Sequence, residues 1–299
     1  MNNKKGHKFI SMIIPTLNAE HFIGLLIDRI KQQTLPPDEI IVVDSESTDN
    51  TVLKCSGIED VQVVSIKRSE FDHGGTRDMA LRASRGNYVL FITQDALPQD
   101  EYYIENLLKA FDDSKVAVAY GRQVARPDAA KMERLVREYN YPSESHVRSR
   151  QDIPQYGIKT FFCSDVCSAY RRDIYEELGG FEHLLKTNED MFYAAKAIQH
   201  GYKVAYMAKA KVIHSHNFSL REQYQRNYIL GIEMEKHRDL LEDVSQDSEG
   251  KKMVKYVSKE LLKRGHVISF IHFGFDCCAR FLGNRAGRKK GNSFFDKQV

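Results

Sequence analysis

An open α/β fold with a parallel sheet is the architecture this sequence predicts, and three observations predict it. Residues 39–44 (EIIVVD) form a near-continuous apolar run, the mark of a strand covered on both faces. Short apolar runs alternate with helical spacings in a βαβαβ rhythm from residue 11 onward. Three runs end in groups suited to a ligand: Pro15-Thr16-Leu17-Asn18, Asp44-Ser45-Glu46-Ser47-Thr48-Asp49 and Thr93-Gln94-Asp95. Open α/β sheets bind ligands beyond the carboxyl ends of their strands, so these ends suggest a site for a nucleotide and a divalent cation.

Taken in order, residues 11–15 read as a strand and 20–33 as a helix, with Phe22, Ile23, Leu26, Ile27 and Ile30 at helical spacing and Asn18 as a cap. Pro36-Pro37 ends that unit before the strand 39–44. A short helix over 48–55, a strand over 61–66, a helix over 76–84 closed by Gly86, and a strand over 88–93 follow. A helix over 100–111 and a strand over 116–120 complete the regular alternation. Residues 121–165 are polar and interrupted by Pro127, Pro142 and Pro154, as expected of a long substrate-covering segment. Beyond it the pattern predicts helices over 173–178 and 189–200, each closed by glycine, short strands over 203–206 and 211–214, and a helix over 220–241.

At 299 residues the chain can bury one large core, and its 42% hydrophobic and 28% charged content excludes a disordered or fibrous protein. The net charge of +3 is unevenly spread, since residues 251–299 hold 12 Lys and Arg against 3 Asp and Glu. A domain over 1–241, a linker over 242–250 and a basic amphipathic helical tail over 251–299 are expected, the tail facing a polyanion. The polar start Met1-Asn-Asn-Lys-Lys-Gly-His-Lys8 lacks the apolar stretch of a secretory signal, so a cytoplasmic location is expected. Cys55, Cys163, Cys167, Cys277 and Cys278 lack metal-finger spacing and are expected as reduced thiols.

Each candidate site residue has a structural alternative. Asp95 ends an apolar run and suits a metal ion, yet an Asp before Pro98 also suits a helix cap. The six polar residues from Asp44 to Asp49 suit a base and ribose, or a helix start. Gly74-Gly75 with Arg77 would present free N–H groups and a cation to phosphate, though a lone Gly-Gly is a weak sign. Glu189-Asp190 could supply a general base, or merely favour the helix dipole. His214 and His216 would share one face of a strand, where either could meet a metal.

In this order the pieces resemble family 2 glycosyltransferases of the GT-A fold over about residues 9–240. More narrowly, residues 71–77, 93–96, 120–123 and 167–172 are similar to bacterial rhamnosyltransferases that use dTDP-L-rhamnose. The resemblance implies a Rossmann-like mixed sheet flanked by helices, with a C-terminal helical appendage. It implies inverting transfer of L-rhamnose to a hydroxyl of a lipid-linked glycan in surface polysaccharide synthesis, dependent on Mg2+ or Mn2+. It places Pro15, Thr16, Asn18, Asp44, Ser45, Ser47, Arg77, Thr93 and Gln94 at the donor nucleotide, and Glu189 and Arg226 at the diphosphate and acceptor. Asp190 would be the base and Asp95 a metal ligand, joined by one of His214 and His216, with His216 favoured.

Thr93 stands where the family usually has the first Asp of Asp-x-Asp. A deoxyribose lacks the 2′-hydroxyl that such a carboxylate would accept from, so Thr93 is compatible with a deoxythymidine diphosphate donor. Asp78 also departs from the usual Asn, leaving open whether it meets the donor or caps a helix. The same fold with a UDP-hexose or UDP-N-acetylhexosamine donor is the alternative enzyme reading. A nucleic-acid-binding module is an alternative of another class, supported only by the basic tail. Residues 266–282 carry Asp276 and Arg280 and are too short to span a bilayer, so a peripheral helix on an anionic membrane surface is expected. Its rival is a helical pair packed on the domain or on a second subunit of a homo-oligomer.

Overall fold

The computed structural model describes residues 8–241, 244 and 247–295. The chain begins with β1 (Ile10–Thr16), α1 (Ile23–Lys31), β2 (Glu39–Asp44), α2 (Thr51–Cys55), β3 (Val61–Ser65), α3 (His73–Ala83) and β4 (Tyr88–Ile92). It continues through β5 (Leu97–Pro98), α4 (Tyr103–Leu108), β6 (Val116–Val124), α5 (Lys131–Asn140), β7 (His146–Arg148), α6 (Ile153–Tyr156) and β8 (Cys167–Arg171). The remainder is α7 (Arg172–Glu177), α8 (Glu189–Gln199), β9 (Lys203–Ile213), α9 (Leu220–Lys236), α10 (Asp247–Lys263) and α11 (Val267–Phe295).

One sheet carries all the strands, in the order β3-β2-β1-β4-β8-β6-β9-β5, with β7 paired to β9. The parallel sheet expected from the rhythm of the chain holds for β3, β2, β1 and β4. Beyond β4 the sheet is mixed, because β8 runs antiparallel to both β4 and β6. Side chains alternate across it: Ile13, Val89 and Phe91 enter one core, while Met12, Ile14 and Leu90 enter the other. Covering on both faces explains why β4, and β2 between Glu39 and Asp44, are apolar without alternation.

Several local expectations are corrected. α1 begins at Ile23 after Phe22, and Asn18 is not its cap but sits at φ 50°, its side chain accepting from Thr48 N at 2.9 Å. The polar segment 121–165 includes the end of β6 and three further elements, α5, β7 and α6. α5 is strongly amphipathic, burying Leu135 and Val136. The two strands expected over 203–214 are one strand, β9, in which the register against β6 jumps from Gly121↔Met207 to Arg122↔Lys211. A Cβ at Gly121 would lie 2.5 Å from Ala210 O, so the glycine admits the bulge.

The C-terminal helices pack on the rest of the molecule. Val257, Leu261 and Phe273 join Leu135 and Val136 of α5 in a small third core. α11 lies along α9 at glycine-to-backbone distance, since a Cβ at Gly283 or Gly287 would lie 2.3 Å from Tyr224 O or 2.0 Å from Tyr228 O. Of the linker expected over 242–250, residues 242, 243, 245 and 246 lie outside the described residues, and α10 already begins at Asp247.

Candidate active site

Strand pairing assembles the first part of the site. Asp95 lies between β4 and β5, and the antiparallel pair Leu97↔Ile213 brings the end of β9 back alongside it. His214 Nε2 and His216 Nε2 then stand 3.5 and 3.4 Å from Asp95 Oδ2, with one ligand atom from each residue within 4.8 Å of the others. Both histidines join Asp95, where only one was expected to meet a metal. Burial opposes ionisation of Asp95, but the contacts of His214, His216 and Thr93 more than offset it and hold the carboxyl below its usual range. Desolvation and the neighbouring His214 press His216 down to about 4, leaving a neutral ring with a free lone pair. An ionised carboxylate beside a neutral imidazole is the donor set a divalent cation needs.

Gln123, on β6, orients one of those rings. Its Oε1 lies 2.9 Å from His214 Nδ1, an arrangement that places the ring proton on Nδ1 and turns Nε2 toward Asp95. Arg137 also donates to that oxygen, while Gln123 Nε2 donates to Tyr141 OH at 2.6 Å and Ser164 Oγ at 2.9 Å. Arg126 supports Asp95 from the other side, donating to its carbonyl at 2.7 Å.

The second part is a group of carboxylates around one buried arginine. Arg77 of α3 sets Nη1 3.2 Å from Glu189 Oε1 and Nε 3.5 Å from Asp165 Oδ2. Its guanidinium therefore faces these carboxylates. Asp190 receives the Asp165 N–H at 3.0 Å and the Met191 N–H at 2.7 Å. Desolvation, then the charges of Glu189 and Asp165, raise the Asp190 carboxyl well above the ordinary range. Asp165 itself is pushed up to about 6 by burial, although Arg77 and hydrogen bonds from Ser168 and Tyr170 oppose the shift. Asn188, just before the pair, adopts φ 66°, a left-handed conformation that Asn tolerates better than most residues and that is often kept at functional sites.

The Gly74-Gly75 loop is not an open N–H cradle. α3 starts at His73 with Asp72 as cap, so Gly75 N–H is already bonded to Asp72 at 2.7 Å. A Cβ at Gly74 would lie 1.9 Å from Glu182 O, which explains that glycine by close packing. Asp78 is likewise engaged within the fold, accepting from Arg82, Tyr175 and His183.

The third part lies at the ends of β1 and β2. Asp44 accepts from Thr16 Oγ1 at 3.1 Å and Ser47 N at 2.9 Å, Ser47 Oγ accepts from Asn18 N at 2.8 Å, and Ser45 Oγ donates to Thr16 O at 2.9 Å. Gln94 clips this loop to the end of β4 through Leu17 N at 2.8 Å and Leu17 O at 3.1 Å. Pro15 pairs with Val43 in the sheet beneath.

Thr93, Asp95, His214 and His216 line one cavity of about 430 Å3 together with Arg77, Glu189, Asp190 and Arg226. Pro15, Thr16, Asn18, Asp44, Ser45, Ser47 and Gln94 are not in its wall and stand beside it along the same sheet edge. Sequence reading missed Asp165 and Arg137 and did not single out Gln123, although Gln123 lies in a motif already noted. A lone acidic residue just before the apolar start of β8 was the available signal for Asp165.

The mixed sheet thus brings a cation-suited cluster and a pair of buried acidic residues into one cleft. The chain belongs to glycosyl transferase family 2, whose family model matches residues 11–179. It is 45% identical over 224 residues, 75% of this chain and 71% of the relative, to the O-antigen chain rhamnosyltransferase RfbN of Salmonella typhimurium. It is 41% identical over 229 residues, 74% of this chain and 71% of the relative, to the O-antigen chain rhamnosyltransferase WbaN of Salmonella anatum. Among solved structures, the mannosyltransferase PcManGT of Pyrobaculum calidifontis, in complex with GDP-Man and Mn2+, superposes with a TM-score of 0.64 at 17% identity, covering 94% of this chain and 87% of that one. The protein is a glycosyltransferase with the GT-A fold and a C-terminal helical region.

Proposed function

We propose that the protein transfers L-rhamnose from dTDP-L-rhamnose to a hydroxyl of a lipid-linked glycan during synthesis of a bacterial surface polysaccharide. The observation that carries the chemistry is the placing of Asp190 and the Asp95, His214 and His216 cluster in one cavity. The likeness to two O-antigen chain rhamnosyltransferases supports the choice of sugar. Thr93, with no carboxylate to meet a ribose 2′-hydroxyl, supports a deoxyribose donor.

Asp190 takes the proton of the acceptor hydroxyl, and that oxygen attacks the anomeric carbon opposite the departing diphosphate, inverting its configuration. The elevated proton affinity of Asp190 suits it to this role near neutral pH. Arg77 holds Glu189 and Asp165 in place around it. Asp95, His214 and His216 would hold the metal, which supplies charge neutralisation at the leaving diphosphate when bound. Two imidazoles make this set softer than the oxygen shell that Mg2+ prefers, which favours Mn2+. Thr16, Asn18, Asp44, Ser45 and Ser47 form a pre-bonded edge against which the nucleoside would lie, with Pro15 and Gln94 fixing its shape.

The partner surface is an anionic leaflet. Ile268, Ile271, Phe275 and Leu282 form an outward stripe on α11, exposed at 73%, 51%, 58% and 56%, with Arg285, Lys289 and Lys290 further along the same helix. Among the described residues no helix is long and apolar enough to cross a membrane.

The deciding experiment is a panel of dTDP- and UDP-sugars assayed for diphosphate release with Mn2+ or Mg2+, with and without bacterial membrane extract as acceptor. Fastest turnover of dTDP-L-rhamnose, stimulated by the extract and stopped by EDTA, is the expected result. A clear preference for UDP-glucose or UDP-N-acetylhexosamine would replace the donor, and turnover unaffected by EDTA would remove the metal.

A further inference from the structure

Next to the catalytic cavity lies another of about 550 Å3, walled by α5, α9 and α11. Arg137, Arg226 and Arg280 meet in its wall, one from each helix. Two are neutralised nearby: Arg137 Nε lies 2.7 Å from Glu133 Oε1, and Arg280 Nε lies 2.6 Å from Asp276 Oδ2. Arg226 makes no ion pair with a carboxylate among the described residues, and its guanidinium instead stacks on Phe218 at 4.4 Å. Desolvation, followed by the charges of Arg280 and Arg137, presses its proton affinity downward. Like charges gathered on one cavity repel, and the arrangement is relieved by an anion between them. Guanidinium groups match phosphate oxygens in geometry as well as charge.

We propose that this cavity is an anion subsite for the phosphate or diphosphate of the acceptor, separate from the place of the donor diphosphate. The assignment rests on the glycosyltransferase reading with a lipid-linked acceptor. Neither Asp95, His214 and His216 nor Asp190 lines this wall, so an anion here leaves the reacting position open. Arg137, Asn188 and Arg226 are among the residues that line both cavities, so the anion sits next to the chemistry, and of the three arginines Arg280 alone belongs only to this wall. Arg280 comes from α11, the helix that also carries the exposed apolar stripe, so one element would serve both the acceptor phosphate and the leaflet. The C-terminal helix is thus part of the acceptor site as well as a packing element.

Calorimetric titration of the full chain tests the proposal, using inorganic pyrophosphate and micellar farnesyl diphosphate in EDTA, and dTDP with Mn2+. Both metal-free probes should bind, and Arg226→Gln should weaken them by about tenfold or more, the scale of one lost charge-assisted contact. Arg280→Gln alone would strand the buried Asp276, so Asp276→Asn with Arg280→Gln is the matched variant. It should repeat the loss and, since neither residue lines the catalytic cavity, leave Mn2+-dependent dTDP binding within about twofold. Absence of metal-free binding by the unaltered protein would overturn the subsite. An equal loss of dTDP binding in the matched variant would give these cations to the donor instead. Exclusion of farnesyl diphosphate while pyrophosphate binds would remove the lipid-borne acceptor. Donor hydrolysis with Mn2+, measured in parallel, separates the two readings: its survival would leave the glycosyltransferase standing if the subsite failed.

Discussion

As the base proposed above, Asp190 would act only when deprotonated, and its neighbours set the pH at which that happens. Burial and the charges of Glu189 and Asp165 raise its carboxyl, so kcat/KM should fall as pH drops, on a limb above the ordinary carboxylate range of about 4. Asp165→Asn removes one of those charges and should move the limb to lower pH, and an unchanged profile would mean that Asp165 does not act on the base. Asp190→Asn should cut kcat by about 100- to 10,000-fold while donor affinity measured by titration stays nearly constant. Gln123 belongs to the same scale. Gln123→Met removes the acceptor facing His214 Nδ1 and should weaken Mn2+ binding by about 10- to 100-fold. Asp95 and Asp190 were legible in the sequence because they stand at a strand end and a helix start. Asp165 and Arg137 were not: Arg77, the partner of Asp165, is distant in sequence, and Arg137 lies on α5, in a segment that read as irregular, so its turn toward Gln123 left no pattern.

Elements were legible where burial made them periodic. β4 is apolar throughout, and β2 between its terminal Glu39 and Asp44, because both faces are covered, and α1 shows its buried stripe directly. β8 (CSAYR) escaped notice because it is short, carries Ser168 inside it and lacks an apolar run, although it is the strand that makes the sheet mixed. β9 looked like two strands because its bulge interrupts the alternation, and that bulge precedes the segment that carries His214 and His216 to Asp95. The α9–α11 contact left only glycines as its trace, and glycine alone does not reveal which helix it meets. Its energetics can be measured. Gly287→Ala would drive a Cβ to 2.0 Å from Tyr228 O, and overpacking of this kind should cost about 1–3 kcal/mol. Gly274→Ala, on the same helix with nothing within 4 Å, should stabilise by about 0.5–1 kcal/mol. Thermal melts of both variants test the contact, and equal shifts would contradict it.

At the scale of the whole molecule, the charge asymmetry of the sequence meets a physical constraint that composition alone did not show. The basic C-terminal helices were expected either to lie on a membrane or to pack on protein, and they hold a packed side and, on α11, a separate exposed apolar stripe. Val257, Leu261 and Phe273 are spent inward on α5, while Ile268, Ile271, Phe275 and Leu282 remain outward. Deleting the helices would therefore uncover Leu135, Val136 and the glycine-matched face of α9, so lost membrane recovery after truncation would not distinguish detachment from unfolding. Substitutions confined to the outward stripe do distinguish them. Ile268→Glu, Ile271→Glu and Phe275→Glu together replace apolar contact with charges repelled by an anionic leaflet, where each nearby basic residue contributes about 1 kcal/mol of attraction. Sedimentation with phosphatidylglycerol vesicles should fall by about tenfold or more, while the melting temperature changes little because these side chains contact no core. Turnover of a soluble acceptor fragment should persist in the variant, and turnover of vesicle-borne acceptor should drop. Undiminished vesicle binding with a normal melt would leave the stripe without a leaflet and favour a second protein surface as its cover.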